Sequence, residues 1–249
     1  MKKSLLKMMT ALLCCAVVLS SCGKEVLDSL DDATFGALQR AVQEMAAKEQ
    51  ARRLEELQKW EPGCVTDLAT IALFGYENCF KVVTLTQEEW NNRVGGSYFT
   101  NPAINISEMR EVRTLTYYEE YDATTGQMVS SIRTGMLICN FEIANLLLNI
   151  FRQLYENKYP IQNLVPSDIR SEEEVMLGNF SFCYNYNSGH PDAVSEWNHL
   201  GLAVCLNPAN PPKSGDLAVR LFEQSGFPWG GNEEGGKSYL FGPRRMVMY

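Results

Sequence analysis

Basic residues are scarce: 22 lysines and arginines stand against 30 aspartates and glutamates, for a formal net charge of −8. A chain with that balance offers no broad cationic surface to nucleic acid or anionic lipid. Histidine is rarer still, with His190 and His199 the only two. A long hydrophobic run is missing as well, because the apolar stretch from Met8 to Leu19 is too short for a comfortable membrane span. Proline is absent between Leu27 and Trp60, where Gly36 is the only glycine, so nothing in that stretch stops a helix. Internal repeats and low-complexity tracts are absent too, which excludes a solenoid.

What is present begins at the N-terminus. Lys2, Lys3 and Lys7 precede the apolar stretch, which ends on Leu19-Ser20-Ser21-Cys22, the order of a secretory signal. Small residues ending on a cysteine form the pattern of a bacterial lipoprotein signal. In that reading residues 1–21 are removed and Cys22 carries the lipid that tethers the protein to the membrane. Removal of the three lysines takes the net charge from −8 to −11. The acidic segment after Cys22 resembles surface-export signals of lipoproteins in diderm bacteria, so the expected location is the cell envelope, at the outer membrane, with the facing side open. Roughly 225 residues remain, enough for one domain and an arm. Export implies an oxidising compartment. Cys64, Cys79, Cys139, Cys183 and Cys205 are odd in number, so at least one is free or pairs between chains. Cys64 with Cys79 is the first candidate bridge, because the two flank one short segment.

Along the chain, Phe35, Leu38, Val42 and Met45 recur at helical spacing, followed by Leu54 and Leu57, and Glu61-Pro62-Gly63 ends the pattern. Glu49 with Arg53 and Glu55 with Lys59 are set four apart in the favourable acid-first order. This long helix is either a spacer packed on the domain after it or a coiled-coil arm, although the heptad lapses at Glu49 and Arg52. Val82–Leu85 reads as a short strand, and 112–121 and 128–138 as two strands joined by Asp122-Ala123-Thr124-Thr125-Gly126. Asn140 can cap a helix whose Ile143, Leu147, Ile150 and Leu154 share a face. Phe180–Tyr186 and Leu200–Leu206 suit buried strands, Asp216 can cap a helix to Ser225, and Tyr239–Phe241 suggests a last strand. The expected fold class is α+β, a small antiparallel sheet with packed helices behind a long N-terminal helix.

Several of these segments carry a resemblance. The ordered set comprises Gly135-Met136-Leu137-Ile138-Cys139-Asn140, Ile150 to Tyr155, Tyr159-Pro160-Ile161 and Ser181-Phe182-Cys183-Tyr184-Asn185. It continues with Gly201-Leu202-Ala203-Val204-Cys205-Leu206-Asn207-Pro208 and Gly226-Phe227-Pro228-Trp229-Gly230-Gly231. Together they resemble the LAS-type zinc metallopeptidases, which act on peptidoglycan as D-alanyl-D-alanine carboxypeptidases or L-alanyl-D-glutamate endopeptidases. The expected organisation is a signal at 1–21, a lipid anchor and amphipathic arm at 22–62, a connecting segment at 63–105, a domain at 106–243 that the resemblance makes carboxypeptidase-like, and a tail at 244–249.

Zinc hydrolysis needs three protein ligands, an open position for water, a carboxylate base and a cation for the oxyanion. The resemblance implies where those parts would fall, and every one is replaced. Asn198 and Cys205 stand at the first two ligand positions, Leu240 at the third, Lys237 at the base and Asn185 at the arginine. An amide is a poor zinc ligand, leucine is none, and an ammonium cannot serve as a carboxylate base. No catalytic residue and no cofactor is therefore expected. The favoured function is a catalytically inactive, peptidase-like envelope lipoprotein that binds a peptidoglycan stem peptide or an envelope protein. The alternative is an active zinc peptidase with substitute ligands drawn from His190, His199 and Cys205 and a carboxylate from Glu233 or Glu234. Cys205 beside His199 is also the one nucleophilic pair to consider. Cys183 and Cys205 can pair across the site or remain separate buried thiols.

Overall fold

The computed structural model describes residues 32–94, 100–166, 172–186, 197–234 and 236–242. Cys22, the signal segment before it, His190 and the tail at 244–249 lie outside the described residues. The chain divides into two units, Met1–Arg52 and Arg53–Tyr249.

Helix α1, Asp32–Lys59, runs unbroken across that division, as a stretch without proline should. In its first-unit part Val42 and Met45 are exposed, and Arg52 pairs with Glu49 at 2.6 Å. In the second unit Lys59 pairs with Glu55 at 3.0 Å, four residues apart, whereas Arg53 reaches forward to Asp67. The final turn is anchored by Leu57 and by Trp60, whose indole N–H donates to the Gly135 carbonyl at 3.1 Å.

The stretch read as a connecting segment supplies regular structure: β1 (Val65–Thr66), α2 (Leu68–Phe74), β2 (Lys81–Thr84) and α3 (Gln87–Val94). A hairpin comes next, β3 (Met109–Asp122) and β4 (Gln127–Asn140), paired from Met109 opposite Asn140 to Asp122 opposite Gln127. Its turn is closed by Asp122, which accepts from the Thr124 N–H, and by Gly126 at φ 69°, a left-handed conformation that a glycine adopts without strain. The four strands form an antiparallel sheet in the order β1-β4-β3-β2.

Asn140 caps α4 (Phe141–Glu156) by accepting from the Glu142 N–H at 3.0 Å. The predicted face Ile143, Leu147, Ile150 and Leu154 is fully buried against Val112, Leu137 and Cys139. Trp90 and Val94 of α3 form a separate cluster with Met109, Ile138 and Tyr184. Leu137 and Ile138 thus go to different clusters, as neighbouring residues of a strand should.

The rest of the chain attaches to the outer edge of β4. Leu164 O accepts from Met136 N, the Tyr184 N–H donates to Ile138 O, and Gly201 O accepts from Asn140 N. Gly201 is at φ 66°, and a Cβ there would stand 3.0 Å from the Asn140 nitrogen, so glycine is what permits this approach. After α4 the chain also forms α5 (Glu172–Gly178), β5 (Val204–Cys205), α6 (Leu217–Gln224) and β6 (Leu240–Phe241), with β5 and β6 paired in a two-stranded antiparallel sheet. The buried run at Phe180–Tyr186 makes single bridges, Ser181 to Leu164 and Phe182 to Cys205, in place of a continuous strand. Asp216 precedes α6 but its carboxylate turns back to accept from Lys213 N at 2.8 Å. The architecture is mixed, a small antiparallel sheet with several packed helices. Among the described residues no helix is long and apolar enough to cross a membrane.

Candidate functional site

Backbone pairing decides where the five singled-out positions go. Phe182 and Cys205 exchange two hydrogen bonds, at 3.0 and 2.8 Å, and Cys205 is opposite Leu240 in the β5–β6 ladder. The Asn185 N–H donates to the Asn198 carbonyl at 3.0 Å. Asn185, Asn198, Cys205 and Leu240 therefore hang from one connected set of backbone segments, and the carbonyl of Lys237 accepts from the Leu240 N–H at 2.9 Å.

Asn198 is completely buried at the start of a short 3-10 turn that Gly201 terminates. Its side-chain N–H groups donate to the carbonyls of Cys183, at 2.8 Å, and Ala203, at 2.7 Å. Both neighbours are acceptors, which fixes the amide orientation and turns Oδ1 away from them. Oδ1 is buried with no hydrogen-bond partner among the described residues. Cys205 is equally buried among Val175, Phe182 and Tyr239, and its thiol donates to the Phe180 carbonyl at 3.8 Å. Leu240 is partly buried against the same cluster, and the Lys237 ammonium stands 5.8 Å from the centre of the Tyr239 ring. Asn185 is buried with 4% exposure.

This donor set does not fit a zinc ion. The amide is committed to two carbonyls, the thiol lies in an apolar cluster, and leucine offers no donor. Among the described residues no group of three His, Cys, Asp or Glu side chains is placed to hold a metal. His199 stacks edge-on against Tyr186, with centroids 5.5 Å apart, and its carbonyl accepts from the Asn101 amide. Tyr186 packs on the Trp90–Tyr184 cluster, whereas the Cys205 side chain belongs to the Phe182–Tyr239 cluster, so the nucleophilic pair is not assembled. Glu233 and Glu234 are exposed on the loop after Trp229.

The cysteines are also separated by strand geometry. Phe182 and Cys205, as bridge partners, project to one side, and Cys183 projects to the other, into the core with Val112 and Leu147. Cys183 and Cys205 are thus two buried thiols. Cys64 and Cys79 stand as free thiols, and the Cys79 sulfur faces the Gly75 carbonyl at 3.7 Å. Burial pushes the Cys79 thiol up to about 11 and raises those of Cys139 and Cys183, which keeps them protonated and poorly nucleophilic.

Two features were not anticipated from the residue pattern. Glu111, fully buried, is held between Arg93 at 3.1 Å and Arg113 at 2.5 Å. The signal was faint, because Glu111 stands between Arg110 and Arg113 in Met109–Leu115 and reads like part of a charged, solvated strand, whereas burial makes a carboxylate demand partners. The second is a cavity of about 680 Å³ beside Trp229, bounded by the Pro211-Pro212 segment. Nothing in the sequence period marks a cavity.

No family model, no curated protein and no solved structure matches the chain. The site therefore has to be understood from its own chemistry.

Proposed function

We propose that the chain is a non-catalytic envelope lipoprotein, anchored through Cys22, whose second unit is built like a LAS-type peptidase and binds a cell-wall peptide or protein partner without turning it over. The supporting observation is the packing of Asn198, Cys205 and Leu240. The Asn198 amide and the Cys205 thiol are spent on backbone carbonyls, and Leu240 brings no donor atom, so these three side chains offer a metal no ready ligand. Lys237 in the base position adds a charge of the wrong sign for proton abstraction. Partner binding then falls to surfaces outside these filled positions.

The test is incubation of the full chain with a peptidoglycan stem pentapeptide and added zinc, followed by chromatography for released D-alanine and split peptides. The expected result is an intact peptide. Release of D-alanine, or cleavage within the stem, would establish the competing reading of a zinc peptidase with substitute ligands.

A further inference from the structure

The outer edge of β4 is occupied along most of its length. Asn140 pairs there with Gly201, Ile138 with Tyr184, Met136 with Leu164, Thr134 with Cys64 and Gly63, and Ile132 with Thr66 of β1. These are alternate residues, as they must be in an antiparallel strand whose other residues bond to the opposite neighbour. Pairing with β3 continues without a bulge to Gln127, so the alternation continues too, and Ser130 and Met128 are the next residues to aim N–H and C=O outward. Among the described residues no strand lies beside them, because β1 ends at Thr66. Gln127 to Ser130 are all exposed, Met128 by 59% and Val129 by 43%, so both faces of this part of the hairpin are bare. The corresponding edge of β3 is closed, since the Glu119 carbonyl accepts from the Gln162 side chain at 2.6 Å.

An open edge of this kind accepts another strand, and natural sheets discourage that with lysine, proline or a bulge. Gln127-Met128-Val129-Ser130-Ser131 has none of these and no charge at all, whereas the facing segment of β3 carries Glu119, Glu120 and Asp122. That neutrality selects the partner. A charged strand would find no counter-charge on the edge, but a second copy sets no like charges directly opposite each other, in a chain whose net charge is −8. The segment is also its own complement. An antiparallel copy centred on Val129 places Met128 opposite Ser130 of the other chain on both sides of the axis. Every outward N–H and C=O of the two residues is then satisfied in both copies, and Val129 meets its own symmetry mate. We propose that the Met128–Ser130 edge of β4 is a homodimer contact through which two copies of the chain join their sheets. The contact is isologous and β3 behind it is closed, so assembly stops at two copies. This goes beyond the peptidase-like reading and does not depend on it.

Sedimentation equilibrium of the full chain tests the assignment. The mass should rise from monomer to dimer with a midpoint of about 10–100 µM, as suits so small a contact. Val129→Lys sets two ammonium groups opposite each other at the axis and should weaken the dimer about tenfold or more. Residue 129 is exposed in the free chain, so the thermal midpoint should not fall. A non-hydrogen-bonded pair holds its Cα atoms about 4.5 Å apart, within reach of a disulfide. Val129→Cys should therefore cross-link to itself under mild oxidation, giving peptides linked through residue 129, and should do so faster than Thr125→Cys in the adjacent turn. Three results would overturn the proposal: a monomer at every concentration up to about 500 µM, a dimer indifferent to Val129→Lys, or cross-linking at 129 no faster than at 125.

Discussion

Asn198 donates twice to backbone carbonyls and, among the described residues, receives nothing at its buried oxygen. Asn198→Ala strands the Cys183 and Ala203 carbonyls in a dry interior, so it should destabilise the fold by about 2 kcal/mol in urea unfolding. Asn198→Asp should cost more, because it sets a carboxylate against two acceptors; equal stability of both variants with the parent would contradict this role. The cysteines provide a second check. Brief alkylation at pH 8 followed by peptide mapping should label Cys64, the one partly exposed thiol among those described, and spare Cys79, Cys139, Cys183 and Cys205 until the chain unfolds. Cross-linked Cys64–Cys79 peptides would instead restore the pairing suggested by their spacing. The identity of residue 198 was legible from the sequence, but its role was not, since its partners come from chain segments that only the tertiary structure brings together.

Elements were the most legible level. The 3.6-residue period of Ile143 to Leu154 and the cap at Asn140 located α4 almost to the residue, and alternation with a turn located the β3–β4 hairpin. The runs at 180–186 and 200–206 were harder. Their burial was readable, yet their pairing with the edge of β4 and with each other depends on tertiary neighbours. Charge placement inside elements yields two predictions. Glu111→Ala leaves two partly buried guanidinium groups without their carboxylate and should cost about 3 kcal/mol by denaturant unfolding, whereas a change below about 0.5 kcal/mol would mean the network is dispensable. At the start of α2, burial raises the Asp67 carboxyl, but bonds from Thr70 and the Arg53 charge outweigh it and hold it below the ordinary value. A depressed folded-state pKa stabilises above the unfolded value and is lost as pH falls through the folded one. Asp67→Asn should therefore lower stability at pH 7 and flatten its decline below about pH 4. An unchanged acid limb in thermal scans would contradict that assignment.

In the molecule as a whole, the second unit uses the edge of β4 to hold Leu164, Tyr184 and Gly201, and the segments that these residues belong to carry Asn185, Asn198 and Cys205 into buried positions. The fold class was readable because helical and strand periods both recur along the chain in the manner of α+β proteins. The cavity at Trp229 and the division of the chain after Arg52 were not, since both arise from distances between segments. In the proposed function the scaffold is kept while the metal chemistry is gone. Zinc content of the full chain, measured by elemental analysis after zinc loading and exhaustive dialysis, separates that state from a working metal site. Substoichiometric zinc is expected, unchanged in a His190→Ala, His199→Ala, Cys205→Ser variant. Near-stoichiometric zinc that this variant loses would refute the proposal and make the protein a metalloenzyme with a rebuilt site.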